Sequence, residues 1–152
     1  MAWLATDIRS GQEVVLVLPR TPPADDAAAD LWMHRVRKAG RLDHPNLAPV
    51  VEVGIHDRWP FVVHDLDECA TMSDRIGNKG LGAVETATLM AQVLQGLAFA
   101  HDAGVVHRDV QPYLVLSTDK GVVRLIGLEV AAEAAAVDSA QAPLEAGETG
   151  SL

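Results

Sequence analysis

The sequence AFAHDAGVVHRD, residues 98–109, decides the fold of this chain. It stands at the end of the longest apolar-rich run, Val84 to Ala103, which we expect to form a helix. Downstream, Tyr113 to Ser117 and Val122 to Ile126 are β-prone segments separated by the turn sequence TDKG, which predicts a hairpin. Val105 to Val110 is also predicted to be extended. The charged triplet HRD therefore lies between a long helix and a hairpin.

Two further hairpins and one helix are predicted before residue 65. Ala2 to Ile8 and Glu13 to Leu18 are β-prone runs around a Ser-Gly turn. A helix begins at the pair Asp25-Asp26 and ends in basic residues before Gly40, which is the charge order that the helix dipole favours. Ala48 to Ile55 and Pro60 to His64 form the second hairpin. A polar linker, residues 65–73, connects this unit to the long helix.

This order of segments resembles the protein kinases, and most closely the bacterial Ser/Thr kinases. The motifs that carry the resemblance are GQEV at residues 11–14, LDHPNL at residues 42–47 and the stretch at residues 98–109. They occur in the family's order and with nearly the family's spacing. The resemblance implies an α+β, protein-kinase-like fold. Its parts are an antiparallel β N-lobe with helix C, and a truncated C-lobe that consists of the long helix E and the catalytic-loop hairpin.

Three regions are expected along the chain. Residues 1–64 form the kinase-like N-lobe, residues 65–136 form the truncated C-lobe, and residues 137–152 form a disordered tail rich in Gly, Glu, Thr and Ser. The family's glycine-rich loop would precede Met1, and its later C-lobe helices would follow the Ala-rich segment Glu129 to Ala136. The sequence leaves open whether the chain is naturally short or is an excerpt of a longer protein.

The resemblance implies that the parts needed for catalysis are missing. Phosphoryl transfer needs positioned cations on the phosphates and carboxylate or amide ligands for magnesium. At the family's VAIK lysine, helix-C glutamate, post-HRD lysine, post-HRD asparagine and DFG aspartate, this chain has Val17, Arg35, Gln111, Leu114 and Gly127. The triplet His107-Arg108-Asp109 is then vestigial, and we expect it to hold the loop rather than to catalyse.

No cofactor, no metal site and no Mg-ATP binding are therefore expected. The six histidines show no close ligand spacing such as HxxxH. Cys69 follows an acidic linker, where neighbouring carboxylates disfavour a thiolate, and is expected to be inert. His64 falls near the gatekeeper and hinge positions of the resemblance, and we expect a solvated edge residue there.

The leading hypothesis is a catalytically inactive pseudokinase that acts as a protein-interaction or regulatory module, because the residues lost are those that handle phosphate and metal. One alternative is an atypical nucleotide-binding enzyme in which Asp109 or Glu129 takes a new role. Another is a broken fragment with no independent role. The long helix is apolar on more than one side, so we expect it to bind a protein partner or a second copy of the chain. The residues predicted to do so are Leu89, Met90, Val93, Leu94 and Leu97.

Composition narrows the partners further. The formal net charge of −9 repels phosphate backbones and anionic lipid heads, so nucleic acid and membrane surfaces are not expected as partners. A single cysteine excludes an internal disulfide, and the first residues lack the pattern of a signal peptide. These features predict a cytoplasmic protein.

Overall fold

The first half of the molecule is a four-stranded antiparallel sheet with one helix. The computed structural model describes residues 1–66 and 69–128. The elements of this half are β1 (Ala2–Thr6), β2 (Glu13–Val17), α1 (Asp26–Ala39), β3 (Val50–His56) and β4 (Trp59–Asp65). The strands lie in the order β1-β2-β4-β3. The predicted sequence of two strands, a helix and two strands is confirmed.

Helix α1 forms where the acidic pair predicts it. Asp25 is the N-cap, and its Oδ1 accepts a hydrogen bond from the backbone N–H of Ala28 at 2.8 Å. Asp26 in the first turn and Arg37 and Lys38 in the last turn complement the helix dipole. The apolar face of α1 is buried in one cluster with Val17 and other sheet residues. The helix is thereby fixed against the sheet by side-chain packing.

A charged turn joins β1 to β2. The carboxylate of Asp7 accepts hydrogen bonds from the backbone N–H and the guanidinium of Arg9, at 2.9 and 3.2 Å, and these bonds lower the pKa of Asp7. Arg9 also donates to Glu52 at 2.9 Å, and the two carboxylates, that of Asp7 first, raise the pKa of Arg9. Gly11 closes the turn with a φ of 74°, which few other residues adopt.

The second half consists of three short strands and two helices. They are β5 (Cys69–Thr71), α2 (Met72–Ile76), α3 (Ala83–Asp102), β6 (Val115–Thr118) and β7 (Val123–Leu125), and the sheet order is β5-β6-β7. Helix α3 and the hairpin β6–β7 are confirmed. Within the two described ranges, no helix is both long enough and apolar enough to cross a membrane.

Two local predictions were wrong. The polar linker at residues 65–73 contains β5 and the start of α2, because Cys69–Thr71 pairs with β6, a strand from much later in the chain. The stretch from Val105 to Val110 contains no strand, because Arg108 has a φ of 63° and turns the backbone. Pro112–Leu114 then forms a 3₁₀ turn before β6 begins.

The two halves share backbone bonds and a core. The N–H of Ala48 donates to the carbonyl of Leu125 at 3.0 Å, and the N–H of Leu125 donates to the carbonyl of Asn46 at 2.9 Å. The side chain of Asn46 also donates to the carbonyl of Val123 at 2.9 Å. One apolar cluster contains Val17 of the first sheet together with Leu114 from the other half. The predicted helical segment 129–136 and the predicted tail 137–152 lie outside the described residues.

Candidate functional site

The loop between α3 and β6 has a buried inner half and an exposed outer half. The inner half is held by a buried histidine. His107 is 2% exposed, and its Nε2–H donates to the carbonyl of Ile126 at 2.9 Å. Its Nδ1 is buried and has no hydrogen-bond partner in the described part of the chain. This bond ties the loop to the end of β7 and fixes the position of the residues that follow.

The outer half of the loop carries Asp109, the residue at the family's catalytic-base position. Its Oδ1 accepts a hydrogen bond from Nε2 of Gln111 at 2.7 Å, and its Oδ2 lies 3.5 Å from Nη2 of Arg20. The Asp109 side chain is 45% exposed and the Arg20 side chain is 72% exposed. Both carboxylate oxygens therefore have partners from this chain, one of them across the junction between the two halves. The contact with Arg20 could not be predicted from the residue pattern.

The position of the missing lysine is occupied by apolar packing. Val17, at the end of β2, has an exposed fraction of 0% and shares a cluster with Met33 and Val36 of α1. Arg35 lies on the exposed side of α1. The junction of strand and helix, where the family would place an ion pair, is thus a contact between aliphatic side chains.

The positions of the two missing magnesium ligands are also closed. Leu114 is 4% exposed and belongs to the same cluster as Val17. Gly127 has a φ of 92°, and a Cβ added to it would lie 3.2 Å from Cδ1 of Leu114 and 3.4 Å from Nε2 of His107. A larger residue at position 127 would need a rarely adopted backbone conformation and would crowd both neighbours. The backbone and packing around Gly127 accommodate glycine.

These residues do not fit a magnesium nucleotide. Magnesium prefers oxygen ligands, and the side chains of Val17, Leu114 and Gly127 offer neither an oxygen ligand nor a cation for phosphate. Within residues 1–66 and 69–128, no three His, Cys, Asp or Glu side chains come together as a metal site. Glu129, the residue considered as a substitute ligand, lies outside the described residues. No step of phosphoryl transfer follows from this geometry.

His64 and Cys69 are both buried. His64 is 2% exposed and its Nδ1 lies 3.1 Å from the carbonyl oxygen of Pro49, so the prediction of a solvated edge residue was wrong. The error arose because β4 alternates, and its residues at 60, 62 and 64 face the core. Cys69 is buried and forms no internal disulfide, because the chain has a single cysteine.

Helix α3 divides the predicted partner-binding residues into two groups. Leu89 and Val93 are 3% and 0% exposed and lie in the core, so their inclusion in an exposed surface was wrong. Leu97 is partly buried against the same cluster. Met90 and Leu94 are 40% and 60% exposed. Beside Met90 lies a groove of about 320 Å³, lined mostly by apolar side chains of α2, α3 and the loop at residues 110–112.

Comparison with known proteins agrees with this architecture. The family model described as the protein kinase domain matches residues 19–144, which is most of the chain. The serine/threonine-protein kinase PknL of Mycobacterium tuberculosis is 34% identical over 137 residues, with 88% of this chain and 34% of PknL covered. The serine/threonine-protein kinase PrkC of Bacillus subtilis is 29% identical over 134 residues, with 85% of this chain and 20% of PrkC covered.

A solved structure of a bacterial kinase domain has the same fold as this chain. The crystal structure of the Mycobacterium tuberculosis PknI kinase domain superimposes on this chain with a TM-score of 0.64 at 24% identity. The superposition covers 85% of this chain and 54% of the PknI chain. The chain thus spans about half of that kinase domain and a fifth to a third of the curated relatives. The match of the family model, together with the order of strands and helices, shows that this chain belongs to the protein kinase domain family.

Proposed function

We propose that this chain is a catalytically inactive pseudokinase that acts by binding protein. One observation carries the proposal: the positions that would hold the nucleotide's cation and metal ligands are packed into the core of the fold. Val17 and Leu114 are members of a single apolar cluster, and Gly127 packs against Leu114. Close packing of this kind leaves no polar group where the phosphates and magnesium would need one.

Asp109 supports the same interpretation. A general base must be within hydrogen-bond reach of the hydroxyl that it deprotonates, and the phosphate that is attacked must be held nearby. Asp109 is bonded instead to Gln111 and lies beside Arg20. An atypical enzyme is the alternative function, because Asp109 is partly exposed. Val17, Leu114 and Gly127, however, provide neither a cation nor a metal ligand at the family's phosphate and magnesium positions.

The proposed protein-binding surface is the outward side of α3 with the groove beside it. Met90 and Leu94 are four residues apart and therefore share one side of the helix. Exposed apolar groups of this size, next to a groove with apolar walls, are typical of surfaces that bind another chain. We therefore propose an apolar segment of another protein molecule, either a partner or a second copy, as the ligand.

A thermal-shift titration with Mg-ATP tests the loss of catalysis. A ligand at a hundredfold excess over its Kd stabilises a folded protein by about 2.7 kcal/mol, which raises Tm by several degrees for a domain of this size. We expect no rise with Mg-ATP at millimolar concentration. A rise that depends on the metal would contradict the pseudokinase proposal.

Light scattering on a matched pair of variants tests the surface. Leu94→Asp places a charge on the proposed surface, whereas Val84→Asp makes the same kind of change at a site that is 82% exposed in the first turn of α3. We expect the wild-type chain to self-associate at micromolar concentration, Leu94→Asp to shift it to monomer, and Val84→Asp to leave it unchanged. A wild-type chain that stays monomeric and binds no other chain would contradict the proposal.

A further inference from the structure

A second cavity, with a polar lining, lies where the two halves of the molecule meet. Its volume is about 400 Å³, and it is bounded by the end of α1, the loop that follows, and β7. Arg41 and His44 from the loop and Arg124 from β7 line it. Two cationic side chains that are distant in the sequence therefore border one cavity.

The side chain of Arg41 is not needed to cap α1. The carbonyl of Val36 accepts the N–H of Gly40 at 2.8 Å, and the carbonyl of Ala39 accepts the N–H of Leu42 at 3.0 Å, so backbone donors already satisfy the end of the helix. Within residues 1–66 and 69–128, the Arg41 guanidinium has no hydrogen-bond or ion-pair partner. The five N–H donors of a guanidinium suit a planar or tetrahedral oxyanion.

His44 is held in one orientation beside Arg41. Its Nδ1 accepts a hydrogen bond from the backbone N–H of Asn46 at 3.1 Å. Its ring stacks on Phe99 with a centroid distance of 5.0 Å and an interplanar angle of 30°. Because Nδ1 is the acceptor, the proton of the neutral ring is on Nε2. His44 thus contributes a ring of fixed orientation, with one N–H donor, to the lining of the cavity.

The surrounding charge favours an anion. Residues 35–41 contain four of the 12 lysines and arginines of the chain, and no carboxylate lies between Asp30 and Asp43. This is a cationic region on a protein whose formal net charge is −9. Asp43 also lines the cavity and offsets part of this positive charge, and Arg124 has a further interaction within the chain. The balance suits one compact anionic group rather than a long polyanion.

We infer that this cavity binds a single phosphate group through Arg41, Arg124 and His44. Tetrahedral oxyanions accept several charge-assisted hydrogen bonds at once, and the donors in this cavity come from three side chains. The phosphate is either free inorganic phosphate or a phosphorylated side chain of a partner. The site is separate from the groove beside α3, and the inference does not depend on the proposed function.

An NMR titration of the ¹⁵N-labelled chain tests the inference. Sodium phosphate is added at fixed pH and constant ionic strength, with sodium chloride as the matched salt. We expect saturable shifts at the amides of Gly40, Arg41 and His44 with phosphate only. Arg41→Gln and Arg124→Gln should each weaken binding about tenfold, and Arg37→Gln, which removes the same charge from an exposed site outside the cavity, by less than about twofold.

A second titration identifies the source of the phosphate. A short peptide with one phosphoserine is compared with free phosphate, and its unphosphorylated form is the control. Tighter binding of the phosphopeptide assigns the site to a phosphorylated partner, whereas equal binding assigns it to free phosphate. Shifts that chloride reproduces, or an equal loss of affinity in Arg37→Gln and Arg41→Gln, would overturn the inference.

Discussion

The inner and outer halves of the loop after α3 differ in how they are held. The inner half, with His107 and Leu114, is buried, bonded to the end of β7 and packed against the first sheet. The outer half, with Asp109 and Gln111, is exposed, and its carboxylate is bonded within the loop and lies near one arginine of the other half. The parts of the family's motif that support the fold are therefore packed in the core, whereas its charged part is at the surface.

This difference shows how a kinase-like fold can be held together by contacts that need no nucleotide. Burial of apolar side chains and satisfied backbone bonds stabilise the junction, and neither depends on a nucleotide. Replacing a buried lysine or aspartate by Val17 or Gly127 removes a desolvation cost from that junction. We expect substitutions in the inner half, and at Val17 and Gly127 that pack against it, to change stability strongly and those in the outer half to change it little.

Val17→Lys is expected to have the largest effect. Position 17 is fully buried among the aliphatic side chains of β2 and α1, so an ammonium group there would lack both water and a carboxylate partner. We expect the free energy of unfolding to fall by about 3 kcal/mol or more, measured by urea denaturation. Leu16→Lys, on the opposite face of the same strand, is the control and should cost far less. A stable Val17→Lys variant that binds Mg-ATP would show that the cleft is open.

Gly127→Ala and Gly127→Asp are expected to have intermediate effects. Both force a side chain into a backbone with a φ of 92° and against Leu114, so each should lower the free energy of unfolding by about 1 to 3 kcal/mol. Gly121→Ala is a matched control, because Gly121 has a φ of 77° but no atom within 4 Å of an added Cβ. If both alanine variants lose equal stability, backbone strain alone explains the effect and the packing around Gly127 contributes nothing.

Much of the fold could be predicted because its signals are local. Each of these signals lies within a short stretch of sequence. They are the acidic start and basic end of α1, the turn residues between the strands, and the long apolar run of α3. The residues that align with the family's catalytic positions could also be assigned from the sequence, because the surrounding motifs fix their place in the chain. Strand β5 was missed because three residues carry too little pattern, and its partner strand lies far along the sequence.

The parts of the site that could not be predicted depend on distant contacts. His64 is buried because β4 lies in the interior of the first sheet, between β2 and β3, which its own sequence does not specify. Leu89 and Val93 are buried but Leu94 is exposed, although all three are equally apolar. The approach of Arg20 to Asp109 joins residues on different halves of the molecule. Such facts follow from packing geometry and not from residue type.

Loss of the Arg20–Asp109 ion pair is expected to have the smallest effect. The two charged groups are 3.5 Å apart and both are substantially exposed, and exposed ion pairs contribute about 0 to 1 kcal/mol, reduced further by salt. Asp109→Asn keeps an oxygen that accepts the hydrogen bond from Gln111, so the loop should keep its shape. A double-mutant cycle with Arg20→Gln, followed by urea denaturation at low and high salt, should give a coupling energy below about 1 kcal/mol. A larger coupling energy that resists salt would mean that this ion pair holds the two halves together. Loss of function in a folded Asp109→Asn variant would instead indicate that Asp109 acts as a catalytic base.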